Sequence, residues 1–545
     1  MKIQKTLISN KEVIVENRKS VLKKKKKIVF KPYTQNQDFL LPKSLSDFVE
    51  PGHIARLISS ILDQMDINKI IETYQGGGTS AYNPRMLLKD WILGFVNKIY
   101  SSRILAKQLR ENLTFIWISG NQRPDFRTLN NFRIRLKDDI KSVFKQIIRY
   151  AIEEGIIEGE DVFIDHTKRE ADANKHKIVW KKQVENQLKK IDEELNTLFD
   201  YVDRINETED KIFGNKDLPE QERTKFDDVK VKKIVDKINN NLKENKINKE
   251  QAREQKKNLR RTKELLERKV AYKIKRENLG NRNSHSKTDT DAPAMMMKDK
   301  LTIRPAYNEG ITVEKGFVLN YDVSDKSSDS VNFISLMDGT IENLGKMPKN
   351  AHGDAAYGNE ENWSFLKEKN INNFLKYGTY RKEKSEKWRN EKFRLNDFLF
   401  NSHKDEFICK NDKRLSLVDE FDETTATGYV RHMKQYRAPE GVCTHCPFRA
   451  LCTKSNARTL DVSWNGEKLK QQARENLESD KGKELRKRRG NEIESIFGDG
   501  KMNKNKGRYL LRGLKKVSIE AGLYYMSHNI RKIQKFFIQK SQMPN

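Results

Sequence analysis

The sequence predicts an α/β fold with a helical region ahead of it and two insertions, on three observations. Short β-rich apolar runs alternate with helically spaced segments from about residue 156 onward, the pattern of a layered α/β sheet. Two of those runs each deliver an aspartate, Asp165 after Val162-Phe163-Ile164 and Asp354 ahead of Tyr357-Gly358. Two stretches, before residue 155 and between 181 and 280, show only helical spacing.

Taken in order, residues 1–40 are polar and contain five consecutive lysines, Lys23 to Lys27. Such a run reads as a solvated tail or as a basic arm. Residues 41–155 predict helices, among them MLLKDWILGFVNKIY behind Pro84 and TLNNFRIRL with Thr128 as its cap. Two short helices joined by a turn, the second carrying Arg127, Arg133 and Arg135, suit a helix-turn-helix reader of the major groove; a plain helical bundle has the same spacing. Residues 156–180, 300–380 and 481–535 compose the α/β domain. Its strands are expected at Asp165, in LTIRPAYNEGITVE, GFVLNYDVS and NNFLKYG (372–378), and its helices over 328–338, near 360–369 and around Glu494. Residues 181–299 form a charged helical hairpin with polar joins at Gly214 to Arg223 and 238–249, then a linker. Residues 381–480 are a cysteine-bearing insertion with little core.

Composition bounds the partner. The 545 residues carry 108 Lys+Arg against 78 Asp+Glu, a net charge of +30, and only 36% are hydrophobic. This balance points to a polyanion, most simply nucleic acid. A membrane span needs roughly 20 apolar residues in a row, and neither that nor a signal peptide is legible, so the expected location is the cytoplasm.

The chemistry concentrates in RKRRGNEIESIFGDGK, residues 486–501, where Glu494 precedes Lys501 by seven residues, almost two helical turns, behind a basic run. Both side chains then project from one face. Asp165 and Asp354, at strand ends where α/β sheets bind ligands, supply two further carboxylates. Three carboxylates from distant segments are a hard oxygen donor set suited to divalent metal and phosphoryl transfer. A solvated charged helix and two turn aspartates are the bland alternative.

DHTKREADAN around Asp165, GDAAYGNEEN around Asp354, and NEIESIFGDGK followed by RYLLRGLKKVSIEAGLYYMSHNIRKI together resemble the bacterial insertion-sequence transposases with an Asp-Asp-Glu, ribonuclease-H-like catalytic domain, over about residues 35–535. The strand and helix order above is the one such a sheet requires. The resemblance implies Asp165, Asp354 and Glu494 as catalytic ligands of Mg²⁺ (with Mn²⁺ able to substitute) and Lys501 as a DNA contact. It also implies cleavage of double-stranded DNA at element ends, strand transfer into target DNA, a homodimer or higher oligomer, and a nucleoid-associated protein. Two departures stand out. Many relatives carry Tyr and Arg seven and four residues before the Glu, where this chain has Lys487 and Gly490, leaving Arg489 or Arg486 to serve. His166 replaces a common Gly after the first Asp, a change able to perturb the site; neither departure touches a carboxylate, so the enzyme is read as intact. A silent DNA-binding repressor and a metal-dependent nuclease without strand transfer are the competing readings.

Two further groups are candidates for metal. Cys443-x2-Cys446-x5-Cys452, with Cys409 upstream, offers four thiolates for a structural Zn²⁺, against reduced thiols; His445 is a substitute ligand. Asp289 and Asp291 are extra ligands or, with Pro293 beside them, a polar turn.

Overall fold

The computed structural model describes residues 44–74, 80–213, 249–299, 301–390, 392–504 and 506–542. The basic arm at 1–40 with Lys23 to Lys27, and the polar joins at 214–223 and 238–248, lie outside the described residues. The helical region comprises α1 (Ile54–Asp63), α2 (Asn68–Glu72), α3 (Pro84–Val96), α4 (Ser102–Glu111), α5 (Leu113–Ile118), α6 (Phe126–Arg135) and α7 (Ile140–Glu153). Asn83 caps α3 ahead of Pro84, as the Pro-at-first-turn rule expects. At α6 the cap is Asp125, whose carboxylate accepts the Thr128 N–H at 2.7 Å; Thr128 lies inside the helix.

β1 (Asp161–Glu170) follows, then β2 (Ile178–Trp180) and the charged hairpin of α8 (Lys181–Phe213) and α9 (Lys249–Leu279), closed at its base by β3 (Ser284–Ser286) against β2. Val184, Leu188, Ile191, Leu195 and Leu265 supply its apolar seam, which is why so polar a sequence holds two long helices. β4 (Ala294–Met296), β5 (Ile303–Glu314), β6 (Phe317–Ser324), α10 (Phe333–Leu344), β7 (Asn350–Gly358), α11 (Glu360–Glu368) and β8 (Asn372–Tyr377) complete the mixed sheet. Its order is β6-β5-β1-β7-β8, with β4 also on β5. Pairing is antiparallel from β6 through β1 and parallel from β1 through β8.

Beyond β8 the chain enters α12 (Glu386–Asn390) and then departs from expectation. Where an insertion with little core was expected stands a five-stranded antiparallel sheet, β9 (Leu399–Asn401), β10 (Glu406–Ile408), β11 (Arg414–Thr424), β12 (Val430–Arg437) and β13 (Thr459–Val462), with α13 (Arg449–Cys452) between the last two. Phe398, Phe407, Leu415, Tyr436 and Leu460 give it its own core. Period-2 alternation is faint here because β11 is exposed on both faces from Val418 to Thr424.

The chain returns through α14 (Trp464–Glu478), α15 (Asp480–Arg489), a π-helical turn (Gly490–Glu494), α16 (Ser495–Met502) and α17 (Leu514–Gln542). Helix α17 buries Val517, Leu523, Tyr525, Ile530 and Ile533 in the same core as Trp91, Phe95, Val143 and Ile147 of the N-terminal helices and Val162 and Ile164 of β1. Asn529 fixes it to β6 by exchanging two hydrogen bonds with the Val318 backbone, at 2.9 and 2.8 Å. The N-terminal helices therefore share one apolar core with the sheet.

Candidate active site

β1 sets the site because it is buried on both faces and its side chains alternate. Its start is held by Glu314, whose buried carboxylate accepts the backbone N–H groups of Glu158, Gly159, Glu160 and Asp161. Phe163 pairs with His352 on β7, and their rings lie 5.6 Å apart. Two residues further along each parallel strand stand Asp165 and Asp354, hence on that same face. Pairing of β1 with β7 stops at Phe163 and His352, so the two carboxylates lie where the strands part.

The segment 486–509 lies along this face of β1. Arg488 binds Asp161 at 2.6 Å and its guanidinium lies 5.2 Å from the Phe163 ring centre. Arg489 reaches Asp165 at 3.2 Å and Glu494 at 3.0 Å, so one guanidinium bridges two of the three expected carboxylates. A π turn makes this possible: it takes one more residue per hydrogen-bonded ring than an α turn, so residues five apart come onto one face. Arg489 thus occupies in space what a residue four positions before Glu494 would occupy on an α-helix. Arg486, the other candidate, donates to the Tyr380 hydroxyl at 2.6 Å and to the Leu477 carbonyl. Lys501 donates to the Thr167 hydroxyl at 2.9 Å, two residues beyond Asp165 on the same face. Glu494 itself is solvent-exposed.

A buried ionic cluster fixes the chain just after Lys501. Glu309, opposite Thr167 on β5, accepts from Arg169 at 2.6 and 2.9 Å and from the hydroxyls of Tyr509 and Tyr525. Arg169 also donates to the Lys506 carbonyl, and the Lys506 ammonium pairs with Glu520. Leaving any of these charges alone in the core would cost several kcal/mol, on the order of 3–5, so the cluster holds as a unit.

Burial pushes the Asp165 carboxyl up to about 6; Arg489 and Lys298 oppose it, and Asp354 adds to it. Burial lowers the Lys501 ammonium, and the charge of Lys298 lowers it further. Lys298, on the β4–β5 turn, was invisible as a site residue because its sequence neighbours carry no motif.

His166 donates its backbone N–H to the Asp165 carboxylate at 2.8 Å. It points to the opposite face of β1, meets the Tyr357 hydroxyl at 2.7 Å, and is kept neutral chiefly by burial. Its partner across the strand is Gly310, where a Cβ would stand 2.3 Å from the imidazole Nε2, so the His and the Gly fit as a pair.

Three other expectations change or resolve. Arg133 is buried: it donates to the Tyr100 carbonyl at 3.1 Å and to Asn130, and lies 4.5 Å from the Trp91 ring centre, so it faces the core and is withdrawn from the exposed face of α6. Arg127 is exposed, and Arg135 is exposed while donating to the Thr73 carbonyl at 3.2 Å. Asp289 and Asp291 accept the N–H groups of Gly513 and Leu514 at 3.1 and 2.9 Å, anchoring the start of α17 as a carboxylate at a helix N-terminus does. Cys409, Cys443, Cys446 and Cys452 line one small pocket with Phe393, Leu415, Val442 and Phe448; all four are free thiols, and the Asn411 side chain reaches the Cys446 sulfur at 3.7 Å.

Among the described residues, no group of three or more His, Cys, Asp or Glu side chains is arranged so that it could hold a metal ion, and no helix is long and apolar enough to cross a membrane.

Residues 408–534 match the family model of the transposase DDE domain, and residues 43–135 match that of a transposase domain, DUF772. The two matches indicate an insertion-sequence transposase. No curated protein and no solved structure matches the chain. In this chain the DDE match contains Glu494, Arg489, Lys501 and all four cysteines, and with them β11 to β13 of the five-stranded sheet, while Asp165 and Asp354 lie ahead of it. The DUF772 match contains α1 to α6.

Proposed function

We propose that the chain cleaves double-stranded DNA at the ends of an insertion sequence and joins the freed ends to target DNA, on a ribonuclease-H-like sheet with Asp165, Asp354 and Glu494 as the catalytic carboxylates. The reading is supported by two pairwise placements of those residues, although the three carboxylates are not arranged around one ion. Asp165 and Asp354 occupy matched positions on neighbouring parallel strands, and Arg489 ties Glu494 to Asp165. The sheet order, three antiparallel strands followed by two parallel ones, supports the assignment of fold.

The donor set suits Mg²⁺ or Mn²⁺, because carboxylate oxygens are the hard ligands those ions take. Positive charge already bridges two of the carboxylates in the form of the Arg489 guanidinium, a stand-in for a cation between them. Divalent metal, when bound, supplies Lewis-acid stabilisation of the phosphoryl oxygens and of the attacking and leaving oxygens. The protein's part is to hold and orient. β1 and β7 fix Asp165 and Asp354, the buried Glu309–Arg169 cluster fixes the segment after Lys501, and Lys501 faces the strand's phosphates beside Thr167. Arg489 opposes, without cancelling, the rise that burial gives the Asp165 carboxyl.

Double-stranded DNA is the partner, held by α6 with Arg127 and Arg135 and by the basic arm, and a dimer or larger assembly brings two ends together at the nucleoid. The four thiols of Cys409, Cys443, Cys446 and Cys452 line one pocket, which supports a structural zinc there once they close around it, since as they stand no three of them are arranged to hold an ion. Full-length protein incubated with DNA copied from the sequences flanking its gene and Mg²⁺ tests the main reading. Cleavage followed by joining supports it, cleavage without joining reduces it to a nuclease, and binding alone makes the chain a repressor.

A further inference from the structure

The β4–β5 hairpin ends in a defined turn. The Asp299 carboxylate accepts the N–H groups of Leu301 and Thr302, both at 3.0 Å, and the Thr302 hydroxyl at 2.6 Å, while Met297 donates to the Thr302 carbonyl at 2.9 Å. Asp299 thus spends its oxygens on the turn, and the side chain next to it, Lys298, is left exposed. The Lys298 ammonium lies 5.6 Å from the centre of the Phe497 ring, within cation–π range. Phe497 is three residues after Glu494 and four before Lys501, so all three share one helical face. The hairpin therefore lays a cation on the face that carries the carboxylate and the lysine of the candidate active site.

Among the described residues Lys298 forms no ion pair, whereas its neighbours at the site are engaged: Arg489 with Asp165 and Glu494, Lys501 with Thr167. Three cations therefore stand beside Asp165 and the segment that covers it: Arg489 on its carboxylate, Lys501 on Thr167 and Lys298 over Phe497. Crowded like charges are relieved by an anion, and a phosphodiester strand supplies one at every nucleotide.

We propose that Lys298 is a DNA phosphate contact of this site, acting with Lys501 to hold the strand next to Asp165. The proposal rests on the reading of that centre as a DNA-cleaving site. It names a second cation, from an element remote in sequence, where the Glu494–Lys501 segment supplies only one.

The test compares wild type with Lys298→Ala, Lys298→Arg and Asp165→Asn in the full chain, on a labelled duplex copied from the sequence flanking the gene. Affinity is measured against salt in the absence of divalent metal, and cleavage is scored with Mg²⁺. The expected result is a log-log salt slope smaller by about 0.9 in Lys298→Ala, one phosphate fewer, and unchanged in Lys298→Arg, with cleavage reduced in the former and retained in the latter. Because Lys298 is exposed, thermal unfolding should be unaltered in both. A wild-type slope in Lys298→Ala, while wild type cleaves and Asp165→Asn does not, overturns the Lys298 proposal and leaves the site standing. Cleavage by Asp165→Asn overturns the site instead.

Discussion

Arg489 Nη1 lies 3.0 Å from Glu494 Oε1 across a single π turn, and the same guanidinium reaches Asp165 at 3.2 Å. The geometry joins the helical segment to the strand it covers and accounts for an arginine placed five residues before the glutamate. Lysine cannot replace it, because one ammonium lacks the planar fork that spans two carboxylates. Arg489→Lys should keep the fold, bind DNA within about twofold of wild type, and cleave roughly 10- to 100-fold more slowly. Single-turnover cleavage and unfolding curves on the same preparations check this; wild-type cleavage would remove Arg489 from the site.

Asp165 makes a prediction about stability. Its carboxyl sits near 6 in the fold against an ordinary 3.8, so the folded state holds a proton that the unfolded state has released between about pH 4 and 6. Stability therefore falls as pH rises through that window and stays low above it, a cost of about 3 kcal/mol at neutral pH in the metal-free protein. Asp165→Asn should remove it: the variant is more stable than wild type near pH 7.5, by on the order of 1–3 kcal/mol, and the difference vanishes near pH 4. Denaturant melts across pH without divalent metal measure this. Equal stability at both pH values would contradict the assigned burial.

Much of this was legible in the sequence, for reasons specific to each element. Apolar runs at Val162 to Ile164 and in GFVLNYDVS mark buried strands, and Asn359 before an amphipathic segment marks a helix start. The carboxylates were findable because each ends or interrupts such a run. Three things were not. The π turn at Gly490–Glu494 has no periodicity of its own. The five-stranded sheet exposes charged residues such as Asp419, Glu420 and Glu423 on β11, which conceals its alternation. Arg133 looks like any arginine on a polar helix until the fold brings Trp91 and the Tyr100 carbonyl to it.

Arg127 and Arg133 should separate cleanly. Arg133→Ala removes a buried guanidinium from its carbonyl and its ring, and is expected to cost about 2–4 kcal/mol of stability. Arg127→Ala touches an exposed side chain and should leave stability within about 0.5 kcal/mol while weakening DNA binding at low salt. The reverse pattern would show that α6 does not face DNA as placed here.

The cysteine pocket predicts about one zinc per chain in protein purified without chelator, since four thiolates close a structural tetrahedron. Cys446→Ser should lose the metal and make the five-stranded sheet protease-sensitive, while Mg²⁺-dependent cleavage chemistry retains its own ligands. Elemental analysis without stoichiometric zinc would leave these residues as reduced thiols packed beside Phe407 and Leu415.

The three carboxylates are the centre of the account, and end-DNA cleavage tests them most directly. Asp165→Asn, Asp354→Asn and Glu494→Gln each keep shape and remove one metal-binding charge. With Mg²⁺ and duplex DNA from the flanking sequences, each should lose cleavage by at least about a hundredfold while binding that DNA within a few-fold of wild type. Near wild-type cleavage in any one of the three would remove that residue from the site, and in all three would contradict the proposed chemistry.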